Sequence, residues 1–268
     1  MIIQARELVC GYKPGHPIIG PISLGIKRGS ITCIVGPNGI GKTTLFKTLL
    51  GLLKPLSGSF EVSGKDASQY SAKEFARKVA YVPQSHIPPF PFTVEDFVVM
   101  GTNPHLNELA SPGEGEFEVA RRALANMGIS HLAKRDYTQI SGGERQLVVI
   151  ARGLAQQAEL IMMDEPTASL DFGNQVLVLQ RIQRLSESGY TIIFITHDPT
   201  QAFTVANEVV ALGRNSFVQA GKPSDVLTET TLSDLYGVDV QVAAIRVQGT
   251  EVSTNVCIPA QLTRGKRR

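Results

Sequence analysis

The run Gly36-Pro37-Asn38-Gly39-Ile40-Gly41-Lys42-Thr43-Thr44 has residue types and a spacing suited to holding phosphate. It follows the pattern G-x-x-x-x-G-K-[ST]. Small residues let successive backbone N–H groups turn inward, where anionic oxygens accept hydrogen bonds from them. A helix expected over residues 43–50 would aim its positive dipole end at the same point. Lys42 adds a full positive charge near the terminal phosphates, and the Thr43 hydroxyl can ligate Mg²⁺.

Two further segments carry chemistry. Leu160-Ile161-Met162-Met163-Asp164-Glu165 reads as a buried strand ending in two carboxylates. In open α/β sheets, ligands collect at the carboxyl ends of strands, and the phosphate loop begins at such an end. Asp164 is therefore a candidate Mg²⁺ partner, directly or through water. Glu165 would stand nearer an attacking water, as general base or as a water-orienting group. A strand that simply ends in solvated acids is the plain alternative. In Ile140-Ser141-Gly142-Gly143-Glu144-Arg145-Gln146, Ser141 and Glu144 have the spacing of a capping box and open a helix. Gly142 and Gly143 bare the first N–H groups of that helix, and such an end binds anions without further charge. Glycines within a helix are costly, so a ligand explains them better than a plain cap does.

These residues need elements to position them. Residues 30–35 read as a buried strand just before the phosphate loop, and Leu45, Leu49 and Leu50 continue as a helix face. Strand, loop and helix come in the required order, which argues against an ordinary glycine-rich turn. Helical patterns follow at residues 95–100, 116–127 and 142–156. Strand patterns return at 160–163 and 191–196, with a helix over 173–188 between them. Strands alternating with helices imply a parallel sheet with crossover connections. A helical insertion thus sits inside an α/β core. Residues 85–91 and 107–115, rich in Pro or Gly, read as exposed loops. Beyond Leu232, weak alternation at Val238, Val240 and Val242, and again at Ile245 and Val247, suggests a small strand pair.

The bulk properties narrow the class. The chain has 268 residues, 43% of them hydrophobic, enough for a substantial core. A formal net charge of +2 gives no electrostatic case for a nucleic-acid partner. Cys10, Cys33 and Cys257 have no metal-ligand spacing and read as small buried apolar residues of a reducing compartment. The first residues lack a secretory segment, and no apolar run approaches the ~18 residues needed to cross a bilayer. The expectation is a soluble, cytoplasmic chain that meets a membrane only through a partner.

Together these segments resemble the ATPase subunit of ABC transporters. Residues 36–44 match that family's Walker A loop. Residues 140–146 resemble its signature motif, with Glu144 where Gln is usual and Ile140 where Leu is usual. Residues 160–165 resemble Walker B with its catalytic glutamate, and Ser169-Leu170-Asp171 resembles the D-loop. His197, after the strand at 191–196, falls where the family has its switch histidine. Gln84, in Tyr81-Val82-Pro83-Gln84, matches the Q-loop glutamine, and Tyr12 resembles the aromatic residue that stacks on adenine. The resemblance spans about residues 1–230, with its motifs in the family's order.

The resemblance implies an α/β fold: a P-loop NTPase, RecA-like core with a mixed sheet, an ABC-specific antiparallel β part and an inserted helical subdomain. Residues 1–84 and 160–230 would form the core, 85–159 the helical signature subdomain and 231–268 a C-terminal extension. It implies ATP and Mg²⁺ as cofactors. Tyr12, Gly36, Pro37, Asn38, Gly39, Gly41, Lys42, Thr43 and Thr44 would contact nucleotide from one copy. Ser141, Gly142, Gly143 and Glu144 would contact it from a second, in a head-to-tail dimer. Thr43, Gln84 and Asp164 would hold the metal, and Glu165, His197, Lys42 and Gln84 would serve hydrolysis. Polytopic permease subunits, and indirectly a substrate-binding protein, would place the chain at the cytoplasmic face of the inner membrane. The stretch Pro89-Phe90-Pro91-Phe92-Thr93-Val94-Glu95-Asp96, with Gly101 and Pro104-His105, resembles importers of iron chelates, haem and vitamin B12. That group often has Arg where this chain has Thr102. Phe90, Phe92 and Val94 would form a docking surface for the permease, or else pack inside the helical lobe. Molybdate and tungstate importers are close relatives of the same group. An exporter ATPase or a non-transport ABC protein is the alternative; a fused membrane domain or a second cassette would mark those. Arg264, Lys266, Arg267 and Arg268 would form a solvated basic tail, or else touch phospholipid headgroups.

Overall fold

The structure, a computed structural model, describes residues 1–84, 91–107, 110–214, 218–246 and 253–260. The chain opens with β1 (Ile3–Cys10), β2 (Ile19–Ile26), β3 (Ile31–Val35), α1 (Lys42–Leu49), β4 (Ser57–Val62) and β5 (Lys65–Asp66). The middle runs through α2 (Ala72–Ala76), β6 (Val79–Val82), α3 (Val94–Val99), α4 (Glu114–Met127) and α5 (Gly142–Ala155). Then come β7 (Leu160–Asp164), α6 (Phe172–Glu187), β8 (Thr191–Thr196), α7 (Pro199–Val205), β9 (Glu208–Leu212) and β10 (Val218–Gly221). The described chain closes with α8 (Pro223–Val226), α9 (Glu229–Tyr236), β11 (Val240–Arg246) and β12 (Ser253–Pro259).

Two compact units divide these elements. One holds Met1–Ile2, Lys27–Gly29 and Glu61–Ile193; the other holds Ile3–Ile26, Ser30–Phe60 and Phe194–Arg268. In the second, which carries the phosphate loop, β1 pairs antiparallel with β2. There β3 lies parallel to β9, and β9 antiparallel to β10. Every residue of β3 is buried, as expected of a strand covered on both faces in a parallel sheet. In the first unit β6 lies parallel to β7. Around them α3, α4 and α5 pack on one another, and α5 also packs on β6. Leu147, Val148, Ile150 and Leu154 are the buried stripe of α5.

Several expectations shift for local reasons. The helix after the phosphate loop starts at Lys42, since Gly41 takes the left-handed N-cap position with φ 108°. The helix expected from residue 95 starts at Val94, because the Thr93 side chain accepts from the Asp96 N–H. The helix expected from residue 116 starts at Glu114, so the loop read over 107–115 is helical at its end. Glu116 causes this by accepting from the Gly113 N–H at 2.8 Å. The tail is corrected more deeply. Val240, Val242 and Ile245 from its two alternating runs lie on one strand, β11, whose partner is β12, with Val240 opposite Pro259 and Arg246 opposite Ser253. Val247, the last position of that alternation, lies outside the described residues, as do the basic tail and Phe90.

For Val94 the second of the two readings of the apolar cluster holds. Val94 is fully buried and Phe92 half-buried, so Val94 belongs to the interior of the helical part. Thr102 is buried as well, with its hydroxyl donating to the Val99 carbonyl at 2.8 Å. Cys10 and Cys33 are buried as expected, but Cys257 is half-buried. Among the described residues no helix is long and apolar enough to cross a membrane.

Candidate functional site

The phosphate loop begins where β3 ends. Gly36 has φ 152°, and a Cβ there would lie 2.3 Å from the Leu212 carbonyl oxygen at the end of β9. Only glycine lets the backbone pass so close. Gly39 and Gly41 also have positive φ, 78° and 108°. Lys42 is 5% exposed, and its Nζ donates to the Gly36 carbonyl at 2.7 Å and the Pro37 carbonyl at 2.9 Å. The long cationic side chain therefore arches back along the loop that precedes it. Asn38 and Thr43 are exposed, while Thr44 is buried. The first turn of α1 carries no acidic residue, so the dipole end stays favourable to anions. Tyr12 is 55% exposed, with Lys47 Nζ 6.0 Å from its ring centroid. That leaves an aromatic face available for stacking in the same unit as the loop.

His197 follows β8 in this unit too, and is exposed. Its neighbours fix the chain around it. Asp198 caps α7 by accepting from the Thr200 N–H at 2.8 Å, and the Asp198 N–H donates to Thr196 Oγ1 at 3.1 Å. Thr196 Oγ1 in turn donates to Gln201 Oε1 at 3.0 Å.

The other unit holds the carboxylates. β7 is buried from Leu160 to Met163 and comes partly to the surface at Asp164. Burial raises the Tyr81 phenol, and the charge of nearby Asp164 raises it further. Glu165 takes the left-handed backbone region with φ 45°, an uncommon state for a non-glycine residue and one that concentrates at functional sites. Gln84 Nε2 points at Glu165 Oε2 across 3.5 Å. An amide that donates through its nitrogen keeps its carbonyl oxygen as a separate acceptor. The Asp164 carboxylate and the Gln84 amide oxygen in this unit, and the Thr43 hydroxyl in the other, are each oxygen donors of the kind a hard cation such as Mg²⁺ takes.

The signature segment lies in this unit as well. Ser141 caps α5 through a complete capping box: its side chain accepts from the Glu144 N–H, and Glu144 Oε2 accepts from the Ser141 N–H at 2.8 Å. The Ser141 N–H, and after it the Ser141 hydroxyl, hold the Glu144 carboxyl below its ordinary range. Ser141 and Gly142 are exposed and Gly143 is buried. Two residues support this end: Asp171, already read as part of the D-loop, and Asn174, which motif reading passed over. Asp171 caps α6, accepting from the Asn174 N–H and from Asn174 Nδ2, each at 2.9 Å. Asn174 Oδ1 then lies against Gly143. The spacing Asp171-x-x-Asn174 is a visible cap signal; its contact with a residue far back in the chain is not.

A phosphate loop, a strand-end carboxylate pair and a glycine-bearing capped helix define a nucleotide-binding cassette. The chain belongs to the ABC transporter family, whose model matches residues 19–168. An uncharacterized ABC transporter ATP-binding protein of Haemophilus influenzae is 43% identical over 88% of this chain and 89% of its own length. The molybdate import ATP-binding protein MolC of the same organism is 35% identical, over 87% of each. The achromobactin transport ATP-binding protein CbrD of Dickeya dadantii is 34% identical over 96% of this chain and 94% of its own. A solved inward-facing transporter assigned to the metal-chelate type superposes with a TM-score of 0.85 at 31% identity, covering 97% of this chain and 99% of that one. The fold is that of an ABC ATPase, an α/β cassette with an antiparallel β part and a helical part, and the chain is an ATPase whose hydrolysis of ATP is coupled to transport.

Proposed function

We propose that this chain drives import of a metal chelate of the siderophore, haem or cobalamin type. The observation that carries the reading is the match to the metal-chelate type transporter, which extends over 97% of the chain and so includes the C-terminal extension. CbrD, a relative named for transport of achromobactin, supports it. Import of molybdate is the second reading, favoured by the 35% identity to MolC.

In this reading Tyr12 stacks on adenine, and residues 36–44 wrap the phosphates with backbone N–H groups. Lys42 neutralises charge on the terminal phosphates. Thr43, Asp164 and Gln84 would hold Mg²⁺, which when bound would supply charge neutralisation for the phosphate oxygens. Glu165 orients or deprotonates the attacking water, and His197 contacts the γ-phosphate. A second copy supplies Ser141, Gly142, Gly143 and Glu144, the capped helix start turning its N–H groups to the same phosphate. Two such cassettes close on ATP and loosen after hydrolysis, and permease subunits convert that cycle into movement of cargo.

The test is uptake by proteoliposomes holding the chain with the membrane protein that co-purifies with it. ATP-dependent inward movement of a ferric siderophore, haem or cobalamin is expected. Uptake of molybdate alone would establish the second reading. Outward movement, or the lack of any membrane protein partner, would overturn both.

A further inference from the structure

A tyrosine of the C-terminal extension reaches the nucleotide machinery. Tyr236, the last residue of α9, is half-buried, and its hydroxyl donates to the His197 carbonyl oxygen at 3.4 Å. The Gly36 main chain is a second hydrogen-bonding neighbour of the same hydroxyl. Burial, with Cys33, Cys257 and Asp198 as further neighbours, pushes the phenol well above its ordinary range. Tyr236 is therefore a neutral O–H donor throughout the physiological range.

The geometry points to Tyr236 as a positioning residue for ATP hydrolysis, tying the main chain at His197 to the first glycine of the phosphate loop. The physical argument is one of leverage. A histidine at the end of a strand swings with its own peptide plane, and a donor on its carbonyl limits that swing. A donor placed on a separate, well-anchored helix limits it best. α9 is such a helix. Thr228 caps it, accepting from the Thr231 N–H at 3.1 Å, and Gly237 ends it in the left-handed region. Leu232 and Leu235 bury its apolar side. β11 is pinned to it twice: the Val240 N–H donates to Ser233 Oγ at 3.1 Å, and the Val242 N–H to Glu229 Oε1 at 3.0 Å. β12 packs on α7, the helix directly after His197. The extension thus grips the switch segment from two sides, and Tyr236 Oη is the point of contact with the histidine's own main chain.

The inference rests on the reading of His197 as the γ-phosphate contact, and the test separates the two. Steady-state ATPase rates are measured on the purified full-length chain and on Tyr236→Phe, His197→Ala, the double variant and Ser233→Ala. Tyr236→Phe keeps the ring and removes one hydrogen bond. It should lower kcat by about three- to ten-fold, the worth of one bond felt in the transition state. KM for ATP should stay within about twofold. The double variant should be no slower than His197→Ala, since Tyr236 acts through that residue. Ser233→Ala, which removes one of the two pins between α9 and β11 and leaves the Glu229 pin, the Thr228 cap and the buried leucines in place, should keep most of the parent rate. An unchanged Tyr236→Phe rate beside a slow His197→Ala would overturn the inference alone. So would losses that multiply in the double variant, or a Ser233→Ala as slow as Tyr236→Phe. A His197→Ala at the parent rate would remove the histidine reading, and this inference with it.

Discussion

Asn174 occupies the space that a side chain at Gly143 would need: a Cβ there would lie 2.2 Å from Asn174 Oδ1 and 2.4 Å from its Cγ. The asparagine cannot easily retreat, because Asp171 accepts from both its backbone N–H and its side-chain amide. The signature helix and the D-loop are therefore in register through one amide group. Gly143→Ala should destabilise the protein by about 1–2 kcal/mol, the usual cost of overpacking. Helix propensity alone would have predicted a gain of up to about 1 kcal/mol. Gly142→Ala is the control, since a Cβ at Gly142 meets nothing within 4 Å, and it should not destabilise. Urea denaturation of both variants, with Asn174→Ala added to the first as rescue, checks the contact.

Lys42→Ala removes two hydrogen bonds to loop carbonyls along with the charge offered to phosphate. ATP affinity should fall by at least about tenfold, since charge-assisted bonds of this kind are worth about 1.5–3 kcal/mol. Lys42→Arg should not restore it, because a planar guanidinium does not replace a compact ammonium between two carbonyls. Titration with a fluorescent ATP analogue measures both, and unchanged affinity in Lys42→Ala would count against the cradle.

Glu165→Gln should keep ATP affinity and lose about a hundred-fold or more of turnover, the scale of general base catalysis. Gln84 should still reach the substituted amide, whose remaining oxygen accepts as the carboxylate does at 3.5 Å. Turnover at the parent rate, measured in the transporter complex, would take Glu165 out of the mechanism.

Glu159 gives a pH dependence. It accepts from Lys78, from Arg28 at 2.6 Å and from Ser63 at 2.9 Å. These contacts, the Lys78 bond first, pull its carboxyl from 4.5 to about 2. A depressed carboxyl stabilises the fold fully above its unfolded value, near 4.5, and loses that contribution as pH falls toward 2. Its side chain is 33% exposed, so solvent screening trims the contribution to about 1–2 kcal/mol. Glu159→Gln should cost that amount at pH 7, with the gap to the parent narrowing between pH 4.5 and 2. Denaturant titrations at pH 7, 4 and 3 read it directly.

Legibility divides along locality. The phosphate loop, the Ser141–Glu144 capping box and the alternation of strands with helices are set by near neighbours, so spacing reveals them. The antiparallel β part followed from family resemblance, not from periodicity, whereas the helical insertion was legible in the patterns at 95–100, 116–127 and 142–156. Where the outcome depends on a distant partner, pattern reading fails. Alternation marked a strand near Val240 but could not show that its partner begins at Ser253. Val94 sits on an apolar run that could face a partner or the core, and burial decided for the core. The contacts of Asn174 with Gly143 and of Tyr236 with His197 join residues far apart in the chain, and no local signal announces them.

The left-handed backbone at Glu165 sets durability against work. A glutamate there gives up roughly 1 kcal/mol relative to a residue at ease in that conformation. Asparagine is such a residue, so Glu165→Asn should melt at a higher temperature than the parent while hydrolysing almost nothing. A screen for thermal robustness alone would drift toward that inert form, and any campaign to toughen this ATPase must hold position 165 fixed.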